Sequence, residues 1–285
     1  MKLELECMPC IMKQAYNTAR RSTVDENIIR EILDRTAEYV ATLDMDQTPA
    51  DASYFAYLKT RELTGNADPY KKEKRRYNDI CLSIAPDIRK RIDNSDDPLY
   101  TAIKAAIFGN LIDLGIGFAF DIEKDMETIF SREPDINDYE ELKAILRSGR
   151  KKILYLGDNA GEIVFDRLFI EKIKDDHDVT FVVKKGPIIN DATMEDAVHT
   201  GITDIVRVID TGSDGIGVKW SEVSDEFREM YDSADLIISK GQGNFETNSD
   251  KRPNIFFLLK AKCESVARKL NVDFGDIVIK KGPVH

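Results

Sequence analysis

Five short, unbroken apolar runs punctuate the second half of the chain: Ile153-Leu154-Tyr155-Leu156, Val179-Thr180-Phe181-Val182-Val183, Ile205-Val206-Arg207-Val208-Ile209, Leu236-Ile237-Ile238-Ser239 and Ile277-Val278-Ile279. Runs of this kind suit strands covered on both faces, the signature of a parallel sheet. Most are separated by stretches that read as helices, over residues 161–174, 191–199, 220–232 and 253–270. Strands alternating with helices specify a doubly wound, mostly parallel α/β unit. The first half has a different texture. Ile28, Ile29, Ile32, Leu33, Ala37 and Val40 fall on one helical face, with Thr23 or Asp25 placed to cap it. Further helices are predicted over 51–65, from the basic stretch at Lys71 onward, and after Asp97-Pro98-Leu99. No strand is predicted before Lys151. The expected architecture is an all-helical domain (residues 1–150) feeding a Rossmann-like α/β domain (151–285), with Ser148-Gly149-Arg150-Lys151 as the boundary.

Charge and composition narrow the function. The chain has a net charge of −11, so its surface would repel a nucleic-acid backbone. No apolar run approaches the ~20 residues that span a bilayer. The amino end, Met1-Lys2-Leu3-Glu4-Leu5-Glu6, lacks the apolar core of a secretion signal. Four cysteines in 285 residues are no secreted disulfide framework. A cytoplasmic protein is expected, with no membrane or nucleic-acid partner; its oligomeric state is left open.

In an open parallel sheet, ligands bind beyond the carboxyl ends of the strands. Gly157-Asp158-Asn159-Ala160-Gly161-Glu162 follows the first strand, and Lys184 through Thr193 the second. Asp158 and Asp191, with Asn159 beside the former, form an oxygen-rich set suited to Mg²⁺ or Mn²⁺. Taken singly, Asp158-Asn159 reads as a turn and Asn190-Asp191 as a helix cap. Together, at the ends of adjacent strands, they favour a metal. Lys-Gly recurs at three strand ends, Lys185-Gly186, Lys240-Gly241 and Lys281-Gly282. Glycine amides and lysine charge suit an anion such as phosphate, whereas any one surface lysine more commonly only solubilises a loop. Neither G-x-G-x-x-G nor a P-loop is present. Cys7-Met8-Pro9-Cys10 opens the helical part; zinc would want a second pair, and a thioredoxin-type motif a preceding strand, so small buried thiols are as good a reading as a metal or redox role. The three histidines have no ligand spacing.

Asp158-Asn159-Ala160-Gly161-Glu162, Asn190-Asp191-Ala192-Thr193 and Lys240-Gly241-Gln242-Gly243-Asn244-Phe245-Glu246 jointly resemble the DUF89 family, the damage-control phosphatases that include ARMT1-like proteins. Cys7-Met8-Pro9-Cys10, Asp97-Pro98-Leu99 and Gly109-Asn110-Leu111-Ile112-Asp113 resemble its prokaryotic and archaeal, CxxC-containing branch. The resemblance covers nearly the whole chain; Ala192 departs from it, standing where a valine is common. It implies a metal-dependent phosphatase for small phosphorylated metabolites, phosphosugars or damaged cofactor precursors, using Mn²⁺, Co²⁺, Ni²⁺ or Mg²⁺. It implies metal ligation by Asp158, Asn159 and Asp191, with Asp158 and Asp191 catalytic, and either metal-activated water or an aspartate oxygen as nucleophile. Substrate would meet Glu162, Asn190, Lys240, Gly241, Gln242, Gly243 and Asn244, and Lys280 or Lys281. Asn110 and Asp113, one helical step apart, would overhang the site; Cys7 and Cys10 would be accessory thiols. Two rivals use the same strand ends: an S-adenosylmethionine-dependent carboxyl methyltransferase, disfavoured by Asp158-Asn159 in the first turn, and a phosphometabolite-binding protein without catalysis.

Overall fold

The computed structural model describes residues 1–109 and 130–284. Among the described residues five helices come first: α1 (Cys7–Ser22), α2 (Glu26–Ala41), α3 (Pro49–Thr64), α4 (Lys71–Asp93) and α5 (Pro98–Gly109). Then follow β1 (Ile136–Asn137), α6 (Tyr139–Arg147), β2 (Lys152–Leu156), α7 (Glu162–Ile170), β3 (Asp178–Val183), α8 (Met194–His199), β4 (Arg207–Asp210) and α9 (Asp225–Ser233). The chain ends with β5 (Leu236–Lys240), α10 (Gln242–Asn248), β6 (Ile255–Lys260), α11 (Glu264–Leu270) and β7 (Ile277–Lys281). Local chemistry sets several helix ends. Asp25 accepts from Asn27 N at 2.8 Å to cap α2, and Thr48 accepts from Asp51 N at 3.1 Å to cap α3. Gly65 closes α3 in the left-handed conformation.

The seven strands form one sheet in the order β1-β7-β6-β5-β2-β3-β4. β2, β3, β4, β5 and β6 run parallel, and β7 runs antiparallel to β6. The expected α/β class and mostly parallel sheet are present, with two differences. Residues 253–270 are not one helix: Ile255–Lys260 is a central strand and only Glu264–Leu270 is helical. A strand also exists before Lys151, because Ile136 and Asn137 pair with Val278 and Ile279.

Alternation along the strands divides the core. Ile153 and Tyr155 of β2 pack with Phe165 and Phe169 of α7 and with Ile84, Ile88, Ile103 and Ile107 of α4 and α5. Leu154 and Leu156 face the other way, toward Phe227 of α9, Phe245 of α10 and Val266 of α11. The layer formed by α4 to α7 therefore draws on residues on both sides of position 150. Helices α1–α3 have a separate small core around Ala15, Ala19, Ile29, Ile32 and Ala56. They meet the sheet's loops through Asp214, which takes a hydrogen bond from Arg61 at 2.7 Å and another from Tyr54. No helix among the described residues is long and apolar enough to cross a membrane.

Phe257, on the central strand absent from the sequence reading, is fully buried and meets Phe245 edge-on at 5.0 Å. Phe257→Ala should cost about 3–5 kcal/mol in a denaturant titration, with the slope unchanged. A loss below about 1 kcal/mol would deny β6 its central place.

Candidate functional site

β2 lies between β3 and β5, so the strand order reverses there and a crevice opens above its carboxyl end. Two loops meet at this point. Ala192 N donates to Asp158 O and Ala160 N to Asn190 O, both at 2.8 Å, and Asn159 and Asp191 form an antiparallel bridge. This main-chain pairing sets the Asp158-Asn159 and Asn190-Asp191 segments side by side. Asp191 is not spent on capping α8: Thr193 N donates to Asp196 Oδ2 at 2.9 Å instead. Just before it, Ile189 sits at φ 46°, a conformation that a β-branched residue rarely adopts, as happens where strain is held at a working site.

Glycine is required where β5 ends. Gly241 has φ +77°, and a Cβ there would come within 1.9 Å of Asp158 Oδ2. Asn244 ties the two strand ends together, its Nδ2 donating to Gly157 O at 2.9 Å and Lys240 O at 2.8 Å. Gly241 thus lies against Asp158, whereas the Asn244 amide is committed beneath the surface.

Negative charge accumulates at the crevice. Asp158 is pushed well above the usual carboxylate range, first by loss of water and then by the charges of Glu162 and Asp191, with Lys262 and Lys184 opposing. Asp191 is raised to about 6 by burial, against the pull of Lys184 and Lys74. Lys184 Nζ stands 3.7 Å from Asp191 Oδ2 and donates to Gly217 O. Asn159 Nδ2 donates to Asp158 Oδ2 at 2.8 Å and Glu162 Oε2 at 3.3 Å. With its N–H groups so engaged, the Asn159 amide oxygen is the group left to face a cation. Among the described residues no group of three or more His, Cys, Asp or Glu is arranged to hold a metal ion. The set here is two carboxylates and a neutral amide, whose crowded negative charge a cation would relieve. Such a sparse oxygen set fits a hard divalent ion that keeps several waters.

Three expectations need correction. Lys240 does not reach the cleft: it is fully buried, and its ammonium contacts Glu162, Asp166 Oδ1 at 2.7 Å and Ala106 O at 2.7 Å. Glu162 is turned to the same buried group and meets the loop only through Asn159. Lys280 and Lys281 lie at the wrong edge of the sheet. β7 is antiparallel, so Lys281 pairs with Phe256 near the start of β6, and the two ammonium groups contact Asp138 and Glu141. Asn110 and Asp113 lie outside the described residues.

Two lysines were missed. Lys262 follows β6, which the sequence reading had placed inside a helix. Lys184, not its neighbour Lys185, points inward, because side chains alternate as the strand ends. Lys262, Asn159, Asn190, Gln242 and Gly243 line a cleft of about 770 Å³ whose other wall comes from α1 and α3 and includes Cys7 and Cys10.

Comparison with known proteins follows this geometry. The family model described as the damage-control phosphatase ARMT1-like domain matches residues 4–278. A damage-control phosphatase of Pyrococcus horikoshii is 39% identical over 283 residues, covering 98% of this chain and 97% of the relative. A damage-control phosphatase of Archaeoglobus fulgidus is 36% identical, covering 98% and 99%. A crystal structure of a DUF89 family protein from Pyrococcus horikoshii superposes with a TM-score of 0.91 at 38% identity, over 99% of each chain.

The buried ammonium predicts a stability effect. Lys240→Met strands two buried carboxylates and should cost about 3–5 kcal/mol in a denaturant titration. A cost below about 1 kcal/mol would mean that the pairing is dispensable. Glu246, buried on the cleft wall, has its carboxyl raised to about 7 by burial. A carboxyl with a raised folded pKa favours the folded state at acid pH, and that advantage is lost as pH rises through about 7. Glu246→Gln should therefore gain about 1–3 kcal/mol over wild type at alkaline pH and little in acid. Equal effects at both pH values would contradict the assignment.

Proposed function

We propose that this chain, which belongs to the damage-control phosphatase ARMT1-like family, hydrolyses phosphomonoesters of small metabolites with the help of a divalent metal ion held by Asp158, Asn159 and Asp191. One observation carries the reading: the main chain pairs the two loops that bear Asp158, Asn159 and Asp191 at the strand-order reversal, beside a cleft lined by Asn159, Asn190 and Lys262.

Phosphoryl transfer spreads negative charge over the transferred group, so catalysis rests on positioning and neutralisation. A divalent ion at these oxygens supplies positive charge to the phosphate. The chain supplies the rest. Lys262 brings a second positive charge from the end of β6. Gly241 lets the main chain approach Asp158 closely, and Gln242 and Gly243 line the phosphate end of the cleft. The attacking group is either a water held by Asp158 and Asp191 or an oxygen of one of these two aspartates. Lys240 takes no part at the phosphate; through Glu162 it fixes the Asn159 amide.

Phosphosugars and damaged phosphometabolites are the proposed substrates; the two relatives are named damage-control phosphatases. Phosphate release from p-nitrophenyl phosphate or a sugar phosphate should stop with a chelator and return with Mn²⁺, Co²⁺, Ni²⁺ or Mg²⁺. Asp158→Ala should lower kcat about a hundred- to thousandfold while the fold persists. Lys262→Ala should raise KM about tenfold, as expected for a charge-assisted contact. Full activity in the presence of chelator, or in Asp158→Ala, would refute the reading.

A further inference from the structure

We propose that Cys7 and Cys10 form a dithiol–disulfide couple on the wall of the cleft, and that its oxidation by a low-molecular-weight disulfide changes the affinity of the cleft for a sugar phosphate. The inference rests on the reading of this cleft as the substrate site.

Both thiols belong to the first turn of α1, three residues apart. Residues at that spacing bring their Cβ atoms to about 5–6 Å, and a disulfide asks for Cβ atoms about 3.5–4.5 Å apart, so the turn must tighten by about 1–2 Å. A small adjustment of the turn closes the remaining gap. The turn is placed to make it, since no side chain caps the start of α1. Neither cysteine is in a disulfide in the structure, and both line the cleft that Asn159 and Lys262 also line. With Cys263 or the nearby carboxylates they form no metal-holding group among the described residues.

The order of reaction follows from surroundings. Cys10 is exposed and Cys7 is half-buried. Cys263 caps α11 and accepts from Gln242 Nε2 at 3.3 Å, and burial raises its thiol to about 11. The Cys10 sulfur attacks the reagent disulfide, forming a mixed disulfide and releasing one thiolate. The Cys7 sulfur then attacks the Cys10 sulfur, the mixed disulfide breaks, and a second thiolate leaves. The two cysteine protons pass to the two leaving thiolates. The cysteine pair loses two electrons and the reagent gains them.

Gln14 transmits the change. Its Nε2 donates to Cys10 Sγ at 3.2 Å and Ser53 Oγ at 3.3 Å, and its Oε1 accepts from Tyr57 OH at 2.9 Å. All four side chains line the cleft. Drawing the Cys10 sulfur toward Cys7 removes an acceptor from Gln14 and re-aims its amide on the wall opposite the strand ends.

The test treats the full chain with oxidised glutathione, maps the disulfide by peptide mass, and titrates a hexose monophosphate calorimetrically without divalent metal. The expected result is a Cys7–Cys10 bond and an affinity change of about three- to tenfold, the effect of one hydrogen bond gained or lost. Reductant should reverse both, and Cys10→Ser should show neither on treatment with oxidised glutathione. No bond, a bond to Cys263, or a bond without a change in affinity overturns the inference and leaves the functional reading standing. A protein that binds no hexose monophosphate in either form overturns the inference, while the functional reading stands or falls on the chelator and Asp158→Ala results.

Discussion

The site depends on main-chain pairing between two loops. Ala192 N to Asp158 O and Ala160 N to Asn190 O hold two acidic segments together against their own repulsion. Side chains could not do this unaided, since burial raises the carboxyls of both Asp158 and Asp191, and the charges of Glu162 and Asp191 raise Asp158 further. Backbone hydrogen bonds anchored on β2 and β3 are indifferent to that charge. The sheet therefore supplies a rigid frame that keeps an electrostatically unfavourable group of oxygens together, where the proposed cation would be held.

Beneath the loops a second arrangement performs the opposite task. Lys240 places one ammonium between Glu162 and Asp166, all three side chains fully buried. Tyr155 adds a hydrogen bond to Asp166 at 2.6 Å, and Asp166 Oδ2 is left with no partner. The balance is one cation to two carboxylates, and the raised pKa of Asp166, about 6, reflects burial and the excess of negative charge. Glu162 connects the two levels, meeting Lys240 below and the Asn159 amide above. A lysine of the most recognisable loop thus serves the site from underneath.

Much of this was legible in the sequence, and the gaps have physical causes. Continuous apolar runs marked β2, β3 and β5, and the placing of ligands beyond strand ends pointed to Asp158 and Asp191. β6 was lost because Ile255 to Leu259 is apolar throughout and flows into a helix-forming segment, where periodicity cannot separate a buried strand from a buried helix. Lys262 was lost with it. Two-residue β1 carries no pattern at all. The direction of β7 is a tertiary property; its reversal moved Lys280 and Lys281 to the far edge. Lys240 was misplaced for a related reason: composition shows a lysine at a strand end but not whether the stem turns outward or down toward Glu162.

Diffraction from crystals soaked in Mn²⁺, recorded for its anomalous signal, addresses the core of this account most directly. A single peak bounded by the carboxylates of Asp158 and Asp191 and the Asn159 amide is the predicted result. Those carboxylates standing without a peak between them, in crystals that carry manganese elsewhere on the molecule, would contradict it.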